Sequence, residues 1–394
     1  MKHTLTDLEG VYANAVAAGI KADGLDLAYI HVPNAVSCAG VFTQHKFSAS
    51  SVSYTKRCIK HNILKAIVIN SGNANAVTGK QGQLDTKTIA KNVASKLNIH
   101  SSQVGVASTG IIGKKLPMKK VEQGLTELLS KQNPKNAEAV SRAILTTDLV
   151  SKTTFIEKKV GKKTISIAGI TKGSGMIAPN MATTLGFLVT NASLPQDVLQ
   201  RGLNAAVKVS YNMVSVDTDT STNDMLLCFA TGQYKISSTD KLSLDSFQDA
   251  LNIAAIDLAK QIVKDGEGAT KLIQVDVVNA VSVQMAQKMA KLVIDSPLVK
   301  TAIHGEDPNW GRIVMAIGKD TSIKLNPEKV SIKIGDFTIF SKGSPVNFDR
   351  TDLKKELAKS TIFIIIDCAI GNANATAWGC DLTKGYIDIN TDYN

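Results

Sequence analysis

The sequence predicts a mixed α/β protein of interleaved strands and helices. Three observations carry that expectation. Apolar runs of strand type and apolar residues at helical spacing alternate from one end of the chain to the other. No Pro/Gly/Ser linker, low-complexity tract or repeat of fixed period interrupts them. With 394 residues, 44% of them hydrophobic, the chain exceeds what one small core needs and suits two packed domains or one large layered body.

The elements follow in chain order. Residues 64–69, apolar but for Lys65, read as a buried-strand run. Val121, Leu125, Leu128 and Leu129 recur at the spacing of one helical face. Phe247, Leu251, Ala254, Leu258 and Ile262 mark another helix, with Asp245 or Ser246 as its N-cap. Val330, Ile332 and Ile334 alternate with polar residues up to Gly335 and Asp336, and Phe337 and Ile339 alternate after them, which predicts a hairpin. Residues 361–367 read as another central strand.

Composition excludes several classes. The net charge of +11 is spread along the chain, and aromatics at 5% are not interleaved with basic residues, so nucleic acid is not an expected partner. Lys158, Lys159, Lys162 and Lys163 are expected in a solvated turn between strands. The surplus charge suits anionic small substrates. Five scattered cysteines without a C-x-x-C pair predict buried thiols, with neither a disulfide framework nor a metal site. Asp7 and Glu9 interrupt any signal-peptide core, and apolar runs such as 362–366 are too short to span a bilayer. A soluble cytoplasmic protein, away from membranes, is expected.

Five segments rich in Gly, Thr, Asn or Asp fit neither core nor ordinary turn: 70–79, 107–113, 172–184, 215–224 and 265–271. Small polar loops at strand ends are where α/β proteins place their chemistry. The third runs KGSGMIAPNMATT into the apolar run around Phe187. Lys172 precedes its glycines, the reverse of a P-loop, so phosphate cradling is unsupported. On pattern alone it is a glycine turn feeding a strand. A threonine at a strand mouth after a small alanine has a second use. Thr183 can attack the carbonyl of Ala182, shifting the acyl link from nitrogen to oxygen; hydrolysis of the ester frees a new N-terminus. Thr183 would then own a hydroxyl nucleophile and an α-amino group of reference pKa about 8, near enough to neutrality to serve as general base. Its β-branching keeps Oγ aimed.

The segments KGSGM at 172–176 and PNMAT at 179–183 resemble the autoprocessing motif of the ornithine acetyltransferases, or glutamate N-acetyltransferases, of arginine biosynthesis. NSGNANA at 70–76, SVD at 215–217 with DTSTND at 219–224, DGEGAT at 265–270 and DPNWGR at 307–312 carry the same resemblance, which runs nearly end to end. It implies a layered α/β sandwich of that family's own type, similar in layout to N-terminal nucleophile enzymes. It also implies a cut between Ala182 and Thr183, an α chain of residues 1–182, a β chain of residues 183–394 and an α2β2 heterotetramer. The implied reaction is ping-pong. N-acetylornithine acetylates Thr183, ornithine leaves, and glutamate accepts the acetyl group, with neither metal nor bound cofactor; acetyl-CoA is a further donor in some relatives.

The resemblance assigns Thr109 and Gly110 to the oxyanion hole, where a hydroxyl and an unobstructed backbone N–H meet a developing O⁻. It assigns substrate contacts to Lys172, Thr183, Glu267, Asn390 and one of Thr146 and Thr147. Glu267 would take the amino group of ornithine. Relatives carry a Ser or Thr five positions beyond that asparagine, where this sequence runs only to Asn394. Thr184 replaces a common methionine and is expected to be a bystander. His304 is expected to be structural. DPNWGR is left open between catalytic support and packing. Two other readings remain at this point: a self-processing aminopeptidase or amidohydrolase, in which water resolves the acyl-enzyme, and an unprocessed binding protein.

Overall fold

A computed structural model describes residues 3–178, 184–237 and 239–391. Ala182, Thr183 and Asn394 lie outside the described residues. The chain divides into two compact units. The first comprises the described residues of Met1–Gly173, Pro179–Asn212 and Thr220–Leu258, and the second those of Ser174–Ala178, Met213–Asp219 and Ala259–Asn394.

The first unit holds two sheets. One has the strand order Tyr12–Val16, Leu27–His31, Ala66–Asn70, Val104–Ser108, with only the last pair parallel. The other runs Ser37–Phe42, Met225–Lys235, Leu185–Ser193, Lys163–Lys172, Lys152–Val160, and its one parallel pair joins Met225–Lys235 to Leu185–Ser193. The period of two along each strand sorts the side chains between layers. Ile30, Ile67 and Ile69 of the first sheet share a core with Phe187, Val189, Leu227 and Phe229 of the second. Leu27, Tyr29, Val68 and Val106 point the other way, onto Ile89 and Val93 of helix Gly79–Leu97 and Val121 and Leu125 of helix Met118–Leu128. On the far side of the second sheet, Leu188 and Leu258 of helix Lys241–Lys264 meet over Gly169. Helix, sheet, sheet and helix therefore stack, and the expected layered sandwich is found in this unit. Each large apolar side chain fully buried this way contributes about 1.5–3 kcal/mol.

The second unit is built on a seven-stranded sheet. Ile273, Val275 and Val277 of strand Leu272–Ala280 stand level with Ile362, Ile364 and Ile366 of strand Thr361–Asp367, and all six are buried. The expected hairpin is present as Ser331–Ile334 and Phe337–Ser341, and 361–367 is central as expected. Among the described residues no helix is long and apolar enough to cross a membrane.

One boundary differs. The helix expected from Asp245 or Ser246 begins at Lys241, because the Asp240 carboxylate accepts from the amide of Ser243 at 3.1 Å and from its hydroxyl at 2.6 Å. The turn this adds has Leu242 exposed, so no apolar periodicity announced it. Of the four lysines expected in a turn, only Lys162 lies between the hairpin strands ending at Val160 and starting at Lys163; Lys158, Lys159 and Lys163 belong to the paired strands, whose ladder runs to the last residue before the turn. All five cysteines are free and buried.

Candidate active site

Within the first unit the parallel strands Ala66–Asn70 and Val104–Ser108 end side by side, and the loops that follow them are laced together. The Thr109 amide donates to Asn70 O at 3.0 Å, that of Ile111 to Gly72 O at 3.4 Å, and that of Gly113 to Ala76 O at 3.0 Å. Gly110 stands between these bonds with φ +129°, a region that L side chains avoid. A Cβ there would lie 2.3 Å from the Gly72 carbonyl carbon, so only glycine allows this close approach. Its N–H is outside the lacing, which is what an oxyanion donor requires.

A second segment, at the entry to strand Met225–Lys235, ties this loop to the strand mouth. The side-chain amide of Asn223 donates to Ala74 O at 2.6 Å and to Ser108 O at 2.8 Å. The adjacent Asp224 accepts from the Thr184 amide at 2.8 Å. Burial pushes the Asp224 carboxyl well above the usual carboxylate range, against the pull of the Thr184 N–H and the Lys172 ammonium. Thr184 has φ +131°, a strained value for a β-branched residue, and its hydroxyl lies 3.3 Å from that of Thr171. The strain sits one residue beyond Thr183.

Lys172, at the end of its strand, donates to Thr146 Oγ1 at 2.6 Å and lies 3.6 Å from Asp148 Oδ2. Asp148 Oδ1 accepts from Lys152 Nζ at 2.7 Å and from the Gly173 amide at 2.6 Å, while Oδ2 accepts from the Thr146 amide at 3.1 Å. Burial alone would raise the Asp148 pKa. The two ammoniums and the Gly173 N–H outweigh it and hold the carboxyl far below its usual range. Of the two candidate threonines, Thr146 is the one whose hydroxyl meets Lys172; no such contact is found for Thr147 among the described residues.

The second unit contains Glu267 and Asn390. Asn390 donates from its amide to Glu267 Oε2 at 2.8 Å. The Glu267 carboxylate lies over Gly175, where any Cβ would come within 2.3 Å of Oε1, and the Glu267 amide donates to Ser174 O at 3.2 Å. The buried carboxylate has two oxygens and one bond from Asn390, so it retains capacity for a cationic group. His304 bonds the buried Asp381 through Nδ1 at 3.0 Å, the structural role expected of it. DPNWGR opens helix Gly311–Gly318: Arg312 donates to Leu298 O at 2.7 Å, and the Trp310 ring packs 5.6 Å from that of Phe340. The first is a hydrogen bond to the backbone and the second a ring contact.

The structure thus brings Lys172 to Thr146, and Glu267 to Asn390, each pair within one unit. Sequence reasoning assigned no role to Asp148, Lys152 or Asn223. Their side chains matter through partners remote in sequence; the sole local signal is Asp148 and Lys152 at i and i+4.

The profile of the ArgJ family matches residues 12–394. The arginine biosynthesis bifunctional protein ArgJ of Oceanobacillus iheyensis is 46% identical over 392 residues, covering 99% of this chain and 96% of its own. The protein of the same name from Streptococcus thermophilus is 42% identical over 394 residues, with 99% and 98% covered. A crystal structure of the arginine biosynthesis bifunctional protein from Bacillus halodurans, 40% identical, superposes with a TM-score of 0.51 and covers 52% of this chain and 98% of its own. With matches of this level along its whole length, the chain belongs to the ArgJ family.

Proposed function

We propose that the chain is an acyltransferase of arginine biosynthesis that moves acetyl from N-acetylornithine to glutamate through an ester on Thr183. The observation that carries the reading is the pairing of Asn223 and Asp224. One residue holds the carbonyl of Ser108, next to Thr109, and the next holds the amide of Thr184, next to Thr183. Two neighbouring side chains thereby fix the flank of the nucleophile relative to the oxyanion loop, the positional control that acyl transfer needs.

In the maturation step Thr183 Oγ adds to the Ala182 carbonyl, the bond to the Thr183 nitrogen breaks, and water hydrolyses the resulting ester. The products are an Ala182 carboxylate and a free Thr183 amine. In turnover Oγ adds to the acetyl carbonyl of acetylornithine while the α-amine takes the hydroxyl proton and passes it to the departing nitrogen of ornithine. The glutamate amine then attacks the ester, and Oγ recovers its proton. Thr109 and Gly110 receive the negative charge of each tetrahedral intermediate. Lys172, steadied by Thr146 and Asp148, takes a substrate carboxylate, and Glu267 with Asn390 takes the ornithine side-chain ammonium.

The halves 1–182 and 183–394 would assemble as an α2β2 heterotetramer in the cytoplasm, without metal or bound cofactor. The Bacillus halodurans chain, matched by about half of this one, has the length that a central cut would leave. The word bifunctional in the relatives' names supports acetyl-CoA as a second donor. Intact-mass analysis of wild type and Thr183→Ala tests the maturation step. Two fragments meeting at Ala182/Thr183 in the wild type and one chain in the variant are expected; an uncut wild type that still transfers acetyl would overturn Thr183 as its own base.

A further inference from the structure

Lys21 lies outside every motif read from the sequence, yet its backbone and ammonium are both built into the first unit's site. The fully buried Asp26 carboxylate accepts from the amides of Ala18 at 2.6 Å, Ile20 at 2.5 Å and Lys21 at 3.0 Å, which fixes the loop carrying the lysine. The lysine stem lies on Gly72, where a Cβ would meet Lys21 Cγ at 2.6 Å. Gly72 in turn packs against Gly110, so one glycine separates the stem from the oxyanion loop. At the other end, Lys21 Nζ donates to Leu145 O at 3.2 Å, next to Thr146. That uses one of the three N–H donors of an ammonium.

Its ammonium lies among other charged groups. Burial lowers the Lys21 pKa, the Asp26 and Asp148 carboxylates oppose that shift, and the Lys172 ammonium adds to it. The one Asp148 carboxylate is thus shared by three ammoniums, those of Lys21, Lys152 and Lys172. N-acetylornithine has a single carboxylate and a cationic side-chain end, whereas glutamate has two carboxylates. Lys172 suffices for the carboxylate that the two share. A second half-buried lysine is useful only to the acceptor.

We propose that Lys21 is a specificity-determining residue of the second half-reaction, receiving the side-chain carboxylate of glutamate while Lys172 holds the carboxylate common to donor and acceptor. This rests on the acyl-transfer reading above. The test uses the mature protein with Lys21→Met and Lys21→Arg, measuring first the ornithine released from acetylornithine alone, then transfer to glutamate and to its uncharged isostere glutamine. For Lys21→Met we expect the ornithine burst and its dependence on acetylornithine to change much less than transfer to glutamate. The glutamate KM should rise about 10- to 100-fold, as for a lost hydrogen bond to a charged group. The preference for glutamate over glutamine should collapse, and Lys21→Arg should restore most of it. A Lys21→Met enzyme that keeps the glutamate preference, or in which both half-reactions weaken equally, overturns the assignment. An absent ornithine burst in the wild type would instead overturn the transfer reading itself.

Discussion

The Lys172 ammonium donates to the Thr146 hydroxyl at 2.6 Å, joining two residues that are 26 positions apart. The bond uses one of the three N–H donors of the ammonium, and the Asp148 carboxylate lies 3.6 Å away.

Thr146→Val keeps the shape and removes the acceptor. The KM for acetylornithine should rise about tenfold, the lower range for a hydrogen bond to a charged group, while Thr147→Val stays near wild type. Steady-state kinetics of the two variants decide between the threonines; equal effects would remove the distinction drawn from the Lys172 contact.

Asp148 is fully buried between Lys152 and Lys172. Its folded-state pKa lies below the unfolded value, so it contributes stability above the unfolded pKa of about 3.9 and loses it as pH falls from there toward the folded value. Asp148→Asn should therefore flatten the acid limb of a Tm-against-pH profile. At neutral pH it should cost about 3–5 kcal/mol by removing the carboxylate that the two ammoniums share. Thermal melts between acid and neutral pH measure both effects.

Gly110→Ala combines a disallowed φ of +129° with a Cβ placed 2.3 Å from the Gly72 carbonyl carbon, so the loop must move. If its N–H is an oxyanion donor, kcat should fall about 100- to 1000-fold, by far the larger part of the loss in kcat/KM. A variant with displaced loop but wild-type kcat would remove Gly110 from the hole.

Much of this architecture was legible in the sequence, where local periodicity and packing agree. Val330, Ile332 and Ile334 alternate because one face of their sheet is buried, and the Gly335 turn follows from its φ of +53°. Helix Met118–Leu128 was legible because Val121, Leu125 and Leu128 meet one core. The start of helix Lys241–Lys264 was not, since a polar turn capped by Asp240 has no apolar face to reveal it. The motifs marked which loops matter. They could not show that Asp148 and Lys152 support Lys172, or that Lys21 reaches Leu145, because those contacts depend on how strands and loops distant in sequence are brought together.

Asn390→Ala removes the amide that donates to Glu267 Oε2. The freed carboxylate should bind the ornithine side chain less well, raising the acetylornithine KM about fivefold, with glutamate saturation much less affected. Equal changes for both substrates would detach Asn390 from ornithine recognition.

The central claim is an acetyl ester on Thr183, and mass spectrometry of the protein incubated with N-acetylornithine without acceptor addresses it most directly. The account predicts one added acetyl group on the fragment beginning at Thr183, located to that residue by peptide mapping and discharged as N-acetylglutamate when glutamate is added. No acetylation of Thr183 during active turnover, or an acetyl group lost to water at the same rate with and without glutamate, would contradict it.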